Sequence, residues 1–145
     1  GTLEAVQMYQ EAFRPSPALS EPYVIVSASV MAATKTEDAI KLAAPSRLRK
    51  YGMRSGRFWS LVRPDEALSH PEWSRAEAMP SNAINGTAEE VTKGLEQLAE
   101  QTQANELFLH CSSFGLAERL TSIDLIAEQW GLQTGHNSQV AAVPQ

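Results

Sequence analysis

Half of the basic residues of this sequence lie in one short segment. Six of its twelve lysines and arginines fall between Arg47 and Arg63, and no acidic residue occurs between Asp38 and Asp65. Because the whole chain carries a net charge of −5, this segment predicts a local positive patch that binds a phosphate or attracts an anionic ligand. The adjacent pair Phe58–Trp59 could cover a planar ring. A solvated loop whose two aromatic side chains pack into the core explains the same residues.

Two apolar segments that are typical of strands have candidate site residues at or just after their carboxyl ends. The segments are 23–31 and 106–111, and the residues at their carboxyl ends are Ser29, Met31, His110, Cys111, Ser112 and Ser113. In parallel sheets and barrels, active sites lie at this end of the strands. His110 and Cys111 are neighbours on a strand and point to opposite faces, which excludes a nucleophile and base pair between them. We interpret Cys111 as a core thiol and His110 as a packed or surface imidazole.

The turn Asn85–Thr87 precedes a helical pattern and offers its backbone amides to an anion. Thr87 and Glu90 also have the spacing of a capping box, so a purely structural cap explains the same residues. The sequence lacks the repeated glycines of nucleotide-binding loops. Its three histidines, His70, His110 and His136, are far apart and have no carboxylate or cysteine at helical metal-ligand spacing. We therefore predict no metal site.

Alternating helical and strand patterns must position these residues. An amino-terminal helix ends before Pro15, and the β-branched segment 23–31 predicts a strand that is buried on both faces. A short helix follows and is stopped by Pro45. Periodicity is then lost from 46 to 80, which predicts a long insertion or lid-like loop.

The carboxyl-terminal half predicts a helix, a buried strand and a second helix. Val91, Leu95 and Leu98 form the buried stripe of the first helix. The second helix runs from Leu116 to Trp130 with Gly131 as its carboxyl-terminal cap. Its predicted buried stripe is Leu116, Leu120, Ile123, Ala127 and Trp130. The polar tail, 133–145, is expected to fray.

Composition sets outer limits on the protein. With 145 residues, 43% hydrophobic and 20% charged, the chain corresponds to one ordinary globular domain over 1–145. Its acidic balance argues against nucleic-acid binding. A single cysteine excludes an internal disulfide and fits a reducing compartment. The absence of an apolar run of about 20 residues argues against a membrane span. We predict a soluble cytoplasmic α/β protein.

Short segments in a particular order carry a family resemblance across roughly Tyr9 to Trp130. No single segment is diagnostic, but their order and spacing together are fairly specific. The segments are Phe13–Ser16, Glu21–Val24, Ala32–Ala33, Asn85–Val91, Leu98–Thr102, Asn105–Leu107, Glu118–Leu120 and Ser122–Glu128. In this arrangement the sequence resembles the C-terminal half of bacterial luciferase-like monooxygenases.

The resemblance implies a TIM (β/α)8 barrel of which this chain carries about the last three parallel strands. Members of the family use reduced FMN, or a deazaflavin in some branches, and O2 to oxidise small organic substrates. The insertion, 46–80, lies where a mobile lid closes over the flavin in luciferases. The cofactor-binding candidates are then Arg54, Arg57, Trp59, Asn85, Gly86, Thr87 and Ser112. Where relatives often carry a His-Asp pair this chain has Ser113–Gly115, so no catalytic residue is carried over.

A half barrel has open strand edges and an uncovered inner face, which predicts association with another surface. The resemblance implies a portion of a flavin-dependent monooxygenase that is inactive or weakly active alone. It would be completed by the missing N-terminal half or by a second copy, and supplied by a flavin reductase. A non-catalytic flavin-binding or dimerising half-barrel module is the main alternative. A small α/β ligand-binding domain unrelated to this family also remains open.

Overall fold

The structure, a computed structural model, describes residues 1–132. The predicted fraying of 133–145 lies outside the described residues. In chain order the elements are α1 (Thr2–Ala12), β1 (Ile25–Ala32), α2 (Thr36–Arg54), α3 (Pro64–Leu68), α4 (Trp73–Ala78), β2 (Ile84–Gly86), α5 (Ala88–Thr102), β3 (Glu106–His110) and α6 (Leu116–Gln129). Within residues 1–132 no helix combines the length and apolar character that a membrane crossing requires.

The three strands form one parallel sheet, which confirms the predicted α/β class. Their order is β2-β1-β3. β1 pairs with β3 along Ile25–Ser29 and with β2 along Val30–Ala32. In a (β/α)8 barrel consecutive strands adjoin, whereas here β1 lies between the other two. β2 has only three residues and pairs with the last part of β1, so it does not lie between β1 and β3. The strand order of this sheet therefore does not confirm a barrel.

One face of the sheet packs against helices and forms the main core. Ala28, Val30 and Ala32 of β1 contact Val91 and Leu95 of α5. Ile126 of α6 completes this buried cluster. The alternating side chains of β1 point away from the helices. Burial of every second residue is therefore the pattern that a sheet covered on one face should show.

Most of the opposite face of the sheet is open, so the prediction of a strand buried on both faces is wrong along Ile25–Ser29 and holds only at the carboxyl end, where Met31 is also buried. Ile25 and Phe108 lie on this face and are 59% and 63% exposed. The register pairs Ser27 with Phe108 and Ser29 with His110. β3, which we predicted to be buried, exposes most of its residues for the same reason. The β-branched composition of β1 indicated a strand but not how many faces are covered.

Helix α2 corrects a second prediction, because it passes through Pro45 instead of stopping there. A proline inside a helix loses one backbone hydrogen bond. Burial offsets this loss: Pro45 is buried, and its neighbours Ala44 and Leu48 join Ala67 and Ala76 of α3 and α4 in a second core. The segment 46–80 thus contains the second half of α2 and two short helices.

Helix α5 begins where predicted, and helix α6 begins and ends within a residue of its predicted bounds. Thr87 and Glu90 form the predicted capping box at the start of α5. At the end of α6, Gly131 has φ +77°. The amides of Gly131 and Leu132 donate to the carbonyls of Glu128 and Ala127. This pattern is a Schellman cap and confirms the predicted end of α6.

The predicted buried stripe of α6 is wrong. Leu116, Leu120 and Ile123 are 61%, 52% and 50% exposed, whereas Ser122 and Ile126 are the buried residues of the helix. α6 rests on β1 and α5. Within the described part of the chain no further strand or helix covers the apolar stripe.

Candidate functional site

The carboxyl ends of the three strands border one small polar cleft. Ser29 and Met31 come from β1, Asn85 from β2, and Ser112 follows β3. Parallel strands place their carboxyl ends at the same edge of a sheet, which is where α/β proteins bind ligands. The structure therefore brings together four of the residues that the sequence analysis selected. The volume of the cleft is about 40 Å³.

Helix α2 supplies the other wall of this cleft. Ala43, Ser46, Arg47 and Lys50 line it from one face of the helix, with the spacing i, i+3, i+4 and i+7. We did not select these residues individually because Pro45 was expected to end the helix before them. Had the helical period been continued through the proline, the same spacing would have placed them on one face.

Arg47 is held by the end of helix α4. Its Nε donates to the carbonyl of Ala76 over 2.9 Å, and its Nη2 donates to the carbonyls of Glu77 and Met79. These bonds fix the guanidinium against residues that border the cleft, since Met79 lines it as well. The positive charge is therefore held in place before any ligand arrives.

His110 and Ser112 form a hydrogen-bonded pair beside the cleft. Ser112 Oγ lies 3.1 Å from His110 Nε2. His110 belongs to the open face of the sheet, because its register partner Ser29 does. Cys111, on the other side, packs against the helix-covered core. The two faces separate His110 from Cys111 as predicted, and the imidazole can exchange a proton with the Ser112 hydroxyl.

The turn before α5 is occupied by the chain's own carboxylate. The Thr87 amide donates to Glu90 Oε2 over 2.8 Å, and the Thr36 hydroxyl donates to the same oxygen over 2.6 Å. The Thr36 hydrogen bond, and then the Thr87 amide, lower the pKa of Glu90 below its ordinary value. A Cβ at position 86 would contact the Glu90 carboxylate and lie 3.0 Å from Glu90 Cβ, so glycine leaves room for the carboxylate in its capping position. Capping thus accounts for Gly86 and Thr87.

The other selected residues, Arg54, Arg57 and Trp59, lie around the second core. Arg57 Nη1 is 3.5 Å from Glu72 Oε1, and its guanidinium carbon is 5.9 Å from the Trp59 ring centroid. The Trp59 ring packs on His70 at 4.7 Å. Among the described residues, Arg57 and Trp59 do not line the cleft, and neither does the exposed Arg54. The basic run is therefore divided: Arg47 and Lys50 line the cleft, and Arg63 lies over the ring of Phe114 beyond the end of β3.

Glu72 is the centre of a charged cluster in this second core. It accepts hydrogen bonds from Arg75 Nη1 at 3.0 Å and from the Tyr51 hydroxyl at 3.1 Å. Arg75, followed by Tyr51, lowers the pKa of Glu72 against the opposing effect of burial. This cluster stabilises the segment that carries α3 and α4. It lies outside the polar cleft.

A larger cavity of about 560 Å³ lies on the helix-covered side of the sheet. Its walls are mostly apolar and include Leu107 and Leu109 of β3, with Ile123 and Trp130 from the region of α6. It lacks the converging polar side chains of the smaller cleft, and chemistry at a ligand needs such groups. We therefore assign the candidate site to the cleft. Residues 1–132 contain no cluster of three or more metal-ligating side chains.

Sequence comparisons relate the chain to proteins that are considerably longer. It is 32% identical over 133 residues to the YvbT protein of Bacillus subtilis strain 168, covering 89% of this chain and 40% of YvbT. It is 27% identical over 126 residues to a luciferase-like monooxygenase of Escherichia coli K12, covering 84% of this chain and 38% of that protein. The chain thus spans about two fifths of the length of these curated relatives. No family model matches it.

Structural comparisons, like the sequence comparisons, match most of this chain to a part of longer proteins. The crystal structure of apo-MsnO8 matches with a TM-score of 0.75 and 26% identity, covering 90% of this chain and 41% of that one. The monooxygenase RslO1 from Streptomyces bottropensis matches with a TM-score of 0.50 and 20% identity, covering 88% of this chain and 36% of RslO1. The RslO1 match concerns the fold alone. The chain is thus similar to part of a protein named a luciferase-like monooxygenase and to part of apo-MsnO8.

Proposed function

We propose that this chain forms the C-terminal portion of a flavin-dependent monooxygenase of the luciferase-like family. The observation that carries the proposal is the polar edge formed by Ser29, Asn85 and Ser112, in a segment that matches apo-MsnO8 over 90% of its length. Reduced FMN, or a deazaflavin, would react with O2 to oxidise a small organic substrate. A flavin reductase would supply the reduced cofactor in the cytoplasm.

The residues at this edge suit one wall of a flavin site. Phe108 and Ile25, both exposed on the open face, offer apolar surface to a planar ring. The Asn85 amide and the hydroxyls of Ser29 and Ser112 can bind its polar edge. When bound, the flavin supplies the oxygen chemistry, and the protein positions it and excludes water.

The cleft that residues 1–132 form at the strand ends is too small to enclose such a ligand. Ligand pockets measure about 300–1,000 Å³, whereas the cleft measures about 40 Å³. The open sheet face and the exposed stripe of α6 provide the surfaces on which further strands and helices would pack. We propose that the missing N-terminal half closes a (β/α)8 barrel on this side and supplies the opposite wall.

The pair formed by His110 and Ser112 is suited to moving a proton at this edge. Its 3.1 Å separation allows the imidazole to accept the proton of a hydroxyl that binds substrate.

We also keep the proposal that 46–80 acts as a lid. Arg54 and Phe58 are its exposed residues that would contact a ring, whereas Trp59 is held in the second core.

The alternative, a non-catalytic half-barrel module that binds flavin or dimerises, is favoured by the apolar stripe of α6. Two copies could cover Leu116, Leu120 and Ile123 mutually without any other chain. Such a module would bind FMN alone and show a concentration-dependent dimer. The enzyme portion would need the remainder of the barrel.

The test is an FMN titration followed by flavin fluorescence, with two matched variants. The 145-residue chain would be measured alone and mixed with the part of the E. coli relative that the sequence match does not cover. We expect micromolar binding only in the mixture. Phe108→Asp should abolish it and Met8→Asp should preserve it, because both side chains are exposed but Met8 lies on α1, which packs on α5.

Two results would contradict the enzyme portion. Saturable binding by the chain alone, with dimerisation, would favour the module. Equal loss in Phe108→Asp and Met8→Asp would show that the open face is not the flavin wall. Reductase-driven O2 consumption by the mixture, lost in Phe108→Asp, would extend the result from binding to activity.

A further inference from the structure

Strand β1 has an open edge along its amino-terminal half, and we propose that this edge binds an extended, uncharged peptide segment of a partner protein. On one side β1 pairs with β3 along Ile25–Ser29. On the other side it pairs with β2 only along Val30–Ala32. In the part of the chain that the structure describes, no strand adjoins residues 25–28 on the side away from β3.

The main-chain groups of alternate residues point to this open side. The Val24 carbonyl accepts a hydrogen bond from the Glu106 amide, so the even-numbered residues of the strand face β3. The Ala33 amide donates in the opposite direction, to β2. The N–H and C=O groups of Ile25 and Ser27 therefore point to the open side. Within residues 1–132 they have no hydrogen-bond partner there.

This edge lacks the usual protection against pairing. Natural sheets protect open edges with lysine, proline or β-bulges, whereas β1 contains no lysine and no proline. A second extended chain repeats main-chain donors and acceptors at the strand spacing, which is how β-strand addition recognises a peptide. The open edge therefore fits another strand better than it fits a compact ligand.

A groove of about 190 Å³ lies beside the edge and limits which side chains the added strand can carry. Its more buried lining is apolar and consists of Val26, Ala28, Ile84 and Leu98. Its exposed lining is polar and consists of Thr2, Ser27, Asn82, Gln97 and Gln101. None of the described residues that line the groove is charged. An ionised side chain placed here would lose water without gaining an opposite charge, so the groove favours small apolar or hydroxyl-bearing side chains.

The edge is separate from the surfaces used in the proposed function. The polar cleft is bordered by the carboxyl ends of the strands, whereas the groove adjoins the amino-terminal half of β1 and the middle of α5. The N-terminal half of the proposed barrel would pack on the open sheet face and on the exposed stripe of α6. Peptide binding at the edge of β1 is therefore independent of flavin binding.

The first test is an NMR titration of the ¹⁵N-labelled 145-residue chain with the peptide acetyl-Thr-Val-Thr-Val-Thr-amide. We expect saturable shifts of the amides of residues 25, 27, 82 and 97, with slower hydrogen exchange at the Ser27 amide. The same peptide with every backbone nitrogen methylated keeps its side chains but has no N–H donors, and it should not bind. Acetylated, amidated pentaglutamate and pentalysine should each bind at least ten-fold more weakly, because the groove has no charge of either sign.

Two proline variants test which main-chain groups the peptide uses. Ser27→Pro removes an N–H that faces the open side, where a strand tolerates proline. This variant should keep its circular dichroism spectrum and lose at least ten-fold in peptide affinity. Ala28→Pro removes an N–H that faces β3 and should unfold the chain or lower its Tm strongly. The methylated peptide tests the same hydrogen bonds without altering the chain, so the proposal does not depend on the folding of either variant.

Equal affinity for the methylated and unmethylated peptides would overturn the proposal, and so would shifts confined to residues outside the groove. Tighter binding of pentaglutamate or pentalysine at residues 25 and 27 would contradict an uncharged partner. Concentration-dependent shifts of these residues without peptide would assign the edge to a second copy of the chain instead. Loss of FMN binding by the mixture described above, with peptide binding retained, would contradict only the proposed function.

Discussion

Helices α5 and α6 are neighbouring amphipathic helices, but the apolar stripe of α5 is buried whereas that of α6 is exposed. Val91 and Leu95 of α5 are fully buried against the sheet, whereas Leu116, Leu120 and Ile123 of α6 are about half exposed or more. α5 crosses from β2 to β3 and packs on β1 and β2. α6 follows the last strand and packs on β1 and α5 through its more polar side. The difference shows that periodicity identifies an apolar face but not the surface that covers it.

The largest effect should come from truncating the buried stripe of α5. Leu95 has no exposed surface, so Leu95→Ala should cost about 2–5 kcal/mol by removing buried methyl groups and leaving a cavity. Leu120→Ala, the matched change on the exposed stripe, should cost less than about 0.5 kcal/mol. Chemical denaturation of the chain at low concentration measures both. A comparable loss in Leu120→Ala would show that a second copy already covers α6.

The buried side of α6 depends on a single polar anchor. Ser122 is fully buried, and its hydroxyl accepts a hydrogen bond from the Ala32 amide over 2.7 Å. Ser122→Ala should cost about 1–3 kcal/mol because that amide loses its partner in a buried position. Ser122→Thr, which keeps the hydroxyl, should recover part of the loss. If Ser122→Ala unfolds at the same denaturant concentration as the unaltered chain, the anchor does not hold α6 on the sheet.

A close approach holds α5 against β2. A Cβ at Gly94 would lie 2.7 Å from Ile84 Cγ2, so Gly94→Ala should overpack this contact at a cost of about 1–3 kcal/mol. The better helix propensity of alanine offsets up to about 1 kcal/mol. In an Ile84→Ala background, the same change should instead stabilise the chain. A double-mutant cycle from urea melts measures this reversal, and additive effects would contradict the close contact.

The smallest effect should be a pH dependence at the start of α5. Hydrogen bonds from Thr36 and Thr87 lower the pKa of Glu90 below its ordinary value of 4.5. A carboxyl group with a lowered folded pKa adds stability that is fully present above its unfolded pKa and is lost as the pH falls through the folded pKa. The Tm difference between the unaltered chain and Glu90→Gln should therefore shrink below pH 4.5. If Glu96→Gln, on the same helix, shows the same profile, overall charge explains it instead.

The comparison between the two helices also bears on the site. The sequence analysis selected Ser29 and Ser112 from strand ends and Asn85 from the turn before a helix, and the structure places these three around one cleft. It did not select Ser46, and it placed Arg47 and Lys50 in a basic patch without locating them at this cleft, because Pro45 was taken as the end of a helix that in fact continues. The packing of Leu48 against α3 and α4 contributes more stability than the hydrogen bond that Pro45 loses. The sequence near Pro45 does not indicate this packing, because it involves residues that are distant in the chain.

The sequence by itself determined much of the local structure: where β1, β3 and the last two helices lie, the capping box of Thr87 and Glu90, and the cap at Gly131. These features depend on interactions within a few residues. Only the tertiary structure decided which faces are covered, how the strands are ordered, and that α2 brings its cations to the strand ends. Such features depend on contacts between distant residues, as in the bond between Ser122 and Ala32, which are 90 positions apart. The sequence around Ser122 and the sequence around Ala32 give no indication that these two residues are in contact.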